Sequence, residues 1–121
     1  MPGKDFEASV RYQEGVAVID LRGEVNAFAD EAINAAYAEA VSGDSATVLL
    51  NFDAVDYINS TGIALIVGLL AMARKAHRRV LACGLSDHYR EVFQITRLAD
   101  FMSIFPDEVS AFANAPASAD S

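Results

Sequence analysis

Residues 48–75 read VLLNFDAVDYINSTGIALIVGLLAMARK, and this stretch decides the fold. Its first residues belong to an apolar run over 47–52, broken only by Asn51, which is typical of a strand covered on at least one face. Residues 53–60 form a polar connection with two apolar anchors, Val55 and Ile58. A helix is then predicted from about Thr61 to His77. The stretch therefore predicts a strand, a connection and a helix.

The segments on either side of this unit continue the alternation of strands and helices. Residues 6–13 alternate between apolar and polar side chains, which is the period of a half-buried strand. A turn at Glu14-Gly15 joins them to a second strand, Val16 to Leu21, which Gly23 ends, so the two strands form a hairpin. The remaining predictions are a helix from Asn26, its N-cap, to Val41, a strand from Val80 to Cys83, a helix from Ser86 to Ile95, a strand from Phe101 to Phe105 and a helix from Pro106 to Phe112.

This element order predicts an α/β fold in a single domain. Its sheet should be mixed, with four to five strands, an opening hairpin and about four helices packed on it. The domain is expected to span residues 1–113, and the small polar residues 114–121 are expected to be a disordered C-terminal tail. In the first helix, the residues predicted to lie near one apolar stripe are Phe28, Ala32, Ala36 and Tyr37.

The composition indicates a globular protein that avoids nucleic acid and membranes. The chain has 121 residues, a net charge of −8 and 53% apolar residues, and such acidity disfavours binding to nucleic acid or anionic lipid. The run from Gly62 to Ala73 is too short to span a bilayer, and the N-terminus has no apolar signal core. We therefore expect a soluble cytoplasmic protein, a monomer or weak dimer. The single cysteine, Cys83, is predicted to be a buried strand thiol.

A basic cluster stands out against this acidity. It consists of Arg74, Lys75, His77, Arg78 and Arg79. Positive charge near a helix C-terminus is favourable, so a solvated helix end explains the cluster. A patch that faces a partner is the alternative interpretation.

The tripeptide Asn59-Ser60-Thr61 lies between an extended segment and a helix. Backbone N–H groups and the dipole at a helix start attract anions, so a phosphate on Ser60 would lie in a favourable field. Asn, Ser and Thr are also the usual N-cap residues, and spacing alone favours a plain cap. Both interpretations stay open on this pattern.

The helix that follows is apolar on every side between Gly62 and Ala73. A surface helix should show a polar face from its first turn. Either neighbouring elements cover both sides of this helix, or one side is a docking surface next to Ser60. Simple burial is the expectation from the pattern alone.

Residues 53–64, DAVDYINSTGIA, resemble the signature of STAS-domain anti-sigma factor antagonists. The family pattern is an Asp, an apolar pair and then Asp-Ser-Ser/Thr-Gly-Leu-Gly. Residues 21–26, LRGEVN, resemble the family's strand end, and residues 91–98, EVFQITRL, resemble its late helix and turn. The resemblance covers about residues 6–112 and implies the STAS fold.

The resemblance also implies a binding protein that phosphorylation regulates. In this family the serine before the Ser/Thr-Gly pair, here Ser60, is phosphorylated by a serine kinase of the GHKL ATPase type, which is also the anti-sigma factor. The unphosphorylated antagonist binds the kinase and releases the sigma factor. Phosphorylation breaks this binding, and a PP2C-type phosphatase restores it. The implied partner-binding residues are Asn26, Asn59, Ser60, Thr61, Gly62 and Ile63.

Two details sharpen this expectation. Ile63, or a neighbour in the first helical turn, should be solvent-accessible and contact the partner, and Thr61 should be a minor phosphorylation site or none because its β-branched side chain is stiffer. Asn59 and Asn26 stand where family members often have Asp, and Arg97 where they often have Gly. The first two departures remove negative charges beside the acceptor serine, which indicates slower phosphorylation or a kinase with different contacts.

The residues give little support for a hydrolase, a nucleotide-binding loop or a metal site. Ser60 is not in a Gly-x-Ser-x-Gly elbow, and no Gly-rich phosphate loop occurs. His77 and His88 lack partners at metal-ligand spacing, and Asp53 and Asp56 are expected to be solvated loop residues. We therefore expect no catalysis, no metal and no cofactor. A STAS scaffold or adaptor subunit of a signalling or transport complex, without a phosphorylation switch, is the alternative function.

Overall fold

The computed structural model describes residues 6–43 and 45–114, in which five strands form one mixed sheet. The spatial order of the strands, β1-β2-β3-β4-β5, is their order in the chain. The first two pair antiparallel and the others are added in parallel, so the predicted α/β fold with an opening hairpin is confirmed. The strands are β1 (Glu7–Gln13), β2 (Val16–Val25), β3 (Thr47–Ile58), β4 (Arg79–Cys83) and β5 (Ser103–Phe105).

Three helices connect the parallel strands, and a fourth follows β5. They are α1 (Asp30–Ser42), α2 (Ser60–Lys75), α3 (Asp87–Ile95) and α4 (Glu108–Asn114), with short 3₁₀ turns at Ala27–Ala29 and Leu98–Asp100. Crossovers between parallel strands are right-handed, and here each crossover advances the sheet in the same direction. The three connecting helices therefore pack on one face of the sheet.

The two faces of the sheet are buried to different extents. The larger core joins alternate strand residues such as Ile19 and Leu50 to the inner sides of α1, α2 and α3. On the second face, Ala111 of α4 packs on a smaller cluster that contains Val16, Val18, Leu49, Leu81 and Cys83. Cys83 is 1% exposed, and burial raises the pKa of its thiol to about 12. The prediction of a buried strand thiol is thus confirmed.

A polar network ties α4 to the second face. Arg11 donates from Nε to Asp20 at 2.6 Å and from Nη2 at 3.0 Å, and it also contacts Glu108 of α4. Asn51 adds a hydrogen bond from Nδ2 to the same carboxylate at 2.9 Å. The bond from Arg11 is the main reason that the pKa of Asp20 lies below its ordinary value. The network links β1, β2, β3 and α4.

Several predicted boundaries were wrong. Strand β2 continues through Gly23 to Val25. Its pairing with β3 shifts register on either side of Gly23, whose φ is 97°. Strand β3 runs to Ile58, so Asp53 and Asp56 lie on a strand rather than in a loop. Phe28 does not join the apolar stripe of α1, because it precedes that helix and is 91% exposed. Helix α4 extends one residue into the predicted tail; residues 115–121 lie outside the described residues.

Candidate functional site

The candidate site lies where β2 and β3 end at the same edge of the sheet. Val25 and Ile58 are partners in the parallel register, so the residues that follow them, Asn26 and Asn59, leave the sheet side by side. The backbone N–H of Asn59 donates to the Val25 carbonyl at 3.1 Å. This pairing brings together two polar segments that are 33 positions apart in the sequence.

Both asparagines cap the helical turn that they precede. The Oδ1 atom of Asn59 accepts from the Gly62 backbone N–H at 2.8 Å, and Oδ1 of Asn26 accepts from the Phe28 N–H at 2.9 Å. An aspartate could accept the same bonds, but each asparagine keeps its Nδ2 amide as a further donor without adding negative charge. Asn26 and Asn59, which stand where family members often have Asp, therefore keep both helix caps but make this edge of the sheet less negatively charged.

Helix α2 begins against the end of β2, and Gly62 permits this contact. Its position is buried, and a Cβ there would lie 2.0 Å from the Val25 carbonyl oxygen. No side chain fits at that distance. Gly62 thus fixes how closely α2 approaches the sheet and where its first turn points.

Ser60 is the first residue of α2, one residue earlier than predicted, and its side chain is exposed. Among the described residues, its hydroxyl makes no hydrogen bond that would hold it. The first turn of α2 contains no acidic residue, whereas Arg74 and Lys75 occupy the last turn. The partial positive charge at the helix start is therefore uncompensated by a neighbouring carboxylate on the helix, and it favours an anion at Ser60. Thr61 is exposed as well.

One side of α2 is open, which corrects the expectation that neighbouring elements cover the whole helix. Its buried stripe consists of Gly62, Ile66, Leu69, Leu70 and Ala73. The opposite side exposes Ala64, Val67, Gly68, Ala71 and Met72, with Val67 at 47% and Met72 at 42%. Because these residues are apolar and small or flexible, the open side of α2 suits contact with another protein surface.

Ile63 and Phe28 lie next to this open side. The exposure expected at Ile63 or a neighbour in the first turn is found at Thr61 and Ala64. Ile63 is half-buried and packs against the larger core, so only part of its side chain can reach a partner. Phe28, on the 3₁₀ turn next to α2, is almost fully exposed and was missed as a site residue. The local pattern gave no warning of this exposure, because Phe28, Ala32 and Ala36 also follow helical spacing. Phe28 lies instead in the separate 3₁₀ turn that Asn26 caps before α1 begins.

A metal site and a membrane-spanning helix are both absent from the described ranges, 6–43 and 45–114. No three His, Cys, Asp or Glu side chains are grouped so that they could hold a metal ion. No helix there is long and apolar enough to cross a bilayer.

The family is shown by comparison with known proteins. The profile of the STAS domain family matches residues 7–111. The chain therefore belongs to the STAS domain family, and the curated relatives that it matches are named as anti-sigma factor antagonists. It is 33% identical to BtrV of Bordetella bronchiseptica, named as a candidate anti-sigma factor antagonist, over 93 residues, 77% of this chain and 78% of BtrV. It is also 33% identical to the anti-sigma-B factor antagonist of Staphylococcus aureus over 57 residues, 47% of this chain and 53% of that protein.

Solved structures share the fold. A crystal structure of an anti-sigma factor antagonist from Mycobacterium paratuberculosis superposes with a TM-score of 0.78 at 17% identity, over 90% of this chain and 92% of the other. Phosphorylated SpoIIAA from Bacillus superposes with a TM-score of 0.66 at 24% identity, over 92% of this chain and 100% of SpoIIAA. The described strands and helices thus form the STAS fold.

Proposed function

We propose that this protein is an anti-sigma factor antagonist that binds an anti-sigma factor serine kinase of the GHKL ATPase type and is switched off by phosphorylation of Ser60. A PP2C-type phosphatase reverses the modification. The observation that carries the proposal is the position of Ser60: exposed, at the start of α2, and in line with the open apolar side of that helix. The names of the curated relatives support an anti-sigma factor as the partner. The protein acts by binding and is not an enzyme.

The phosphate changes binding more than it changes the fold. A phosphoserine adds about −1.5 to −2 charge, which the helix start tolerates because the dipole there is favourable. A partner surface fitted to a neutral hydroxyl has to desolvate or repel that charge. Since Ala64 and Val67 continue the same helix face, a partner that covers them also covers Ser60.

The six residues implied by the family resemblance have distinct proposed roles. Ser60, Thr61 and the exposed edge of Ile63 contact the partner directly, and the free amides of Asn26 and Asn59 donate to it. Gly62 is buried, so its role is to let α2 approach Val25 closely. Asn59 also leaves the phosphorylated state with less charge repulsion than an aspartate would.

The test is incubation with the GHKL kinase encoded nearest to this protein in its own genome, together with ATP. Peptide mass mapping should find phosphate on Ser60, with Thr61 modified weakly or not at all. The Ser60→Ala variant should not be modified and should bind the kinase permanently. Phosphate found only at other residues, or a Ser60→Ala variant modified as fast as the wild type, would contradict the proposal. Absence of any phosphate would favour a scaffold or adaptor role.

A further inference from the structure

The C-terminal half of α2 borders a groove that shares Val67 with the proposed switch surface and extends beyond it. The groove has a volume of about 360 Å³ and lies between α2 and the chain that follows α3. Leu98 in it is buried, whereas Val67 and Phe101 are 47% and 51% exposed. We call it the α2–α3 groove, and its relevant lining residues are Val67, Ala71, Arg74, Arg97, Leu98 and Phe101.

The groove is continuous with the candidate site. Ser60, Ala64, Val67, Ala71 and Arg74 are all exposed and follow the spacing of one helix face. At a rise of about 1.5 Å per residue, Ser60 and Arg74 are about 21 Å apart along the helix axis. A partner helix that lies along this face therefore contacts the neighbourhood of Ser60 at one end and the groove at the other.

The groove end of this face is positively charged, although the chain is acidic. The Arg74 guanidinium lies over the Phe101 ring, 5.3 Å from its centroid. This pair also borders a second groove of about 570 Å³. The two grooves are lined by four of the nine Lys and Arg residues and by one of the seventeen Asp and Glu residues; these are Arg74, Arg78, Arg79, Arg97 and Asp100. Local charge complementarity thus favours an acidic occupant.

Arg97 adds an independent observation. Its φ is 69°, in the left-handed region that favours glycine. Its Nε donates to Asp100 at 2.6 Å, and its side chain is 79% exposed. A glycine would avoid this strain, which Glu14 and His77 also carry among the described residues, so a test of Arg97 has to separate binding from stability.

We infer that the α2–α3 groove binds an acidic amphipathic helix of the partner protein. Apolar residues of that helix pack on Val67, Ala71 and Phe101, and carboxylates beside them pair with Arg74 and Arg97. The small side chain of Ala71 allows the close approach that helix packing requires. This inference rests on the proposed partner-binding function and adds the chemistry that recognises the partner. The net charge of −8 on the whole chain disfavours nucleic acid as the occupant, because the phosphate backbone is repelled at longer range.

The probe is a pair of synthetic helical peptides that share one apolar face and differ only in bearing Glu or Lys on the flanking positions. Each is titrated into the ¹⁵N-labelled full chain. The Glu peptide should shift the amide signals of Val67, Ala71 and Phe101, and the Lys peptide should bind about five- to tenfold more weakly, since several rim charge pairs act together. The difference should shrink at high salt.

Two variants separate binding from folding. Phe101→Ser should weaken binding of the Glu peptide about tenfold, whereas Val109→Ser, at a more exposed apolar position of α4, should leave it unchanged. Arg97→Gly should weaken the same binding while the melting temperature rises, because the backbone strain is relieved. A purely structural role for Arg97 would not lower affinity while raising stability. Arg90→Gln, which removes an exposed charge from α3, serves as the charge control.

Three results would overturn the inference. The first is equal affinity for the Glu and Lys peptides. The second is tighter binding of a single-stranded oligonucleotide than of the Glu peptide. The third is self-association that Phe101→Ser abolishes, which would assign the groove to a second copy of the chain. None of these measurements involves the kinase or Ser60. A failure here therefore leaves the proposed switch standing, and a failure of the switch leaves the peptide result standing.

Discussion

The carbonyl oxygen of Val25 occupies the space where a side chain of Gly62 would begin, 2.0 Å from an ideal Cβ. The same oxygen accepts the Asn59 backbone N–H at 3.1 Å, so it cannot move away without breaking that bond. The Val25 carbonyl oxygen therefore holds the end of β2 against the start of α2. This contact also sets the position of the exposed Ser60.

Gly62→Ala should destabilise the protein by about 1–3 kcal/mol, the range for inserting an atom into a packed site. The measurement is the free energy of unfolding in urea. Gly68 provides the matched control, because it lies on the open side of the same helix and an added Cβ meets nothing within 4 Å. Gly68→Ala should stabilise by about 0.5–1 kcal/mol through helix propensity. Equal effects of the two substitutions would show that the contact with Val25 is unimportant.

Val67→Glu should weaken binding of the anti-sigma factor at least tenfold while the free energy of unfolding changes by no more than about 0.5 kcal/mol, because Val67 is half exposed. Ile63→Glu should weaken binding as well, but with a loss of stability, since Ile63 packs against the core. Calorimetric titration and urea unfolding measure the two effects. Val109→Glu on α4 is the control and should change neither. Wild-type affinity in Val67→Glu would exclude the open side of α2 from the interface.

Ser60→Asp should fold as stably as the wild type or up to about 1 kcal/mol better, because a carboxylate in the first turn of α2 meets the favourable end of the helix dipole. Its binding to the anti-sigma factor should nevertheless be weak, although less weak than that of the phosphorylated protein, whose charge is larger. Urea unfolding and titration calorimetry check the two statements. A Ser60→Asp variant that unfolds far more easily than the wild type would show that the helix start does not tolerate an anion.

Acid should destabilise the protein partly through Asp20. Arg11 holds the folded-state pKa of Asp20 below its ordinary value, so the stability that this carboxylate contributes is fully present above about pH 4 and is lost as the pH falls through the folded pKa. Asp20→Asn should be less stable at neutral pH and should show a flatter decline between about pH 4 and 2. Unfolding free energies measured across that range test this, with Glu91→Gln, an exposed change on α3, as the control. Parallel curves for Asp20→Asn and the wild type would refute it.

The fold could be predicted because its elements carry strong local patterns. The apolar run of β3, the alternation of β1 and the uninterrupted apolar helix α2 all form where the sequence places them. The second half of β3 escaped prediction because its two acids are typical of loops. It passes the last residue paired with β4 and pairs there only with β2, so Asp53 and Asp56 face solvent although the backbone is extended.

The site could be predicted only in part, because sequence patterns do not show what covers a helix. The contact of Gly62 with Val25 joins segments that are distant in sequence, and the open side of α2 depends on where α1 and α3 pack. The residue that the pattern placed in the apolar stripe, Phe28, is exposed because Asn26 starts a separate 3₁₀ turn before α1. The sequence therefore pointed to the residues at the start of α2, whereas their exposure and their contacts with the end of β2 depend on packing that a local pattern does not show.

The five strands lie in the sheet in the same order as in the chain, and this affects how the protein can fold while it is being translated. Each strand pairs with the strand made immediately before it, so the sheet can extend at one edge as the chain leaves the ribosome, without waiting for distant segments. Helix α4 is the last of the described elements to emerge, and its Ala111 and Phe112 pack on the cluster of Val18, Leu49 and Leu81 on the second face. A nascent chain that has not yet reached Glu108 is therefore expected to hold a formed sheet with a bare apolar face, and this is the interval in which the protein most needs protection by a chaperone.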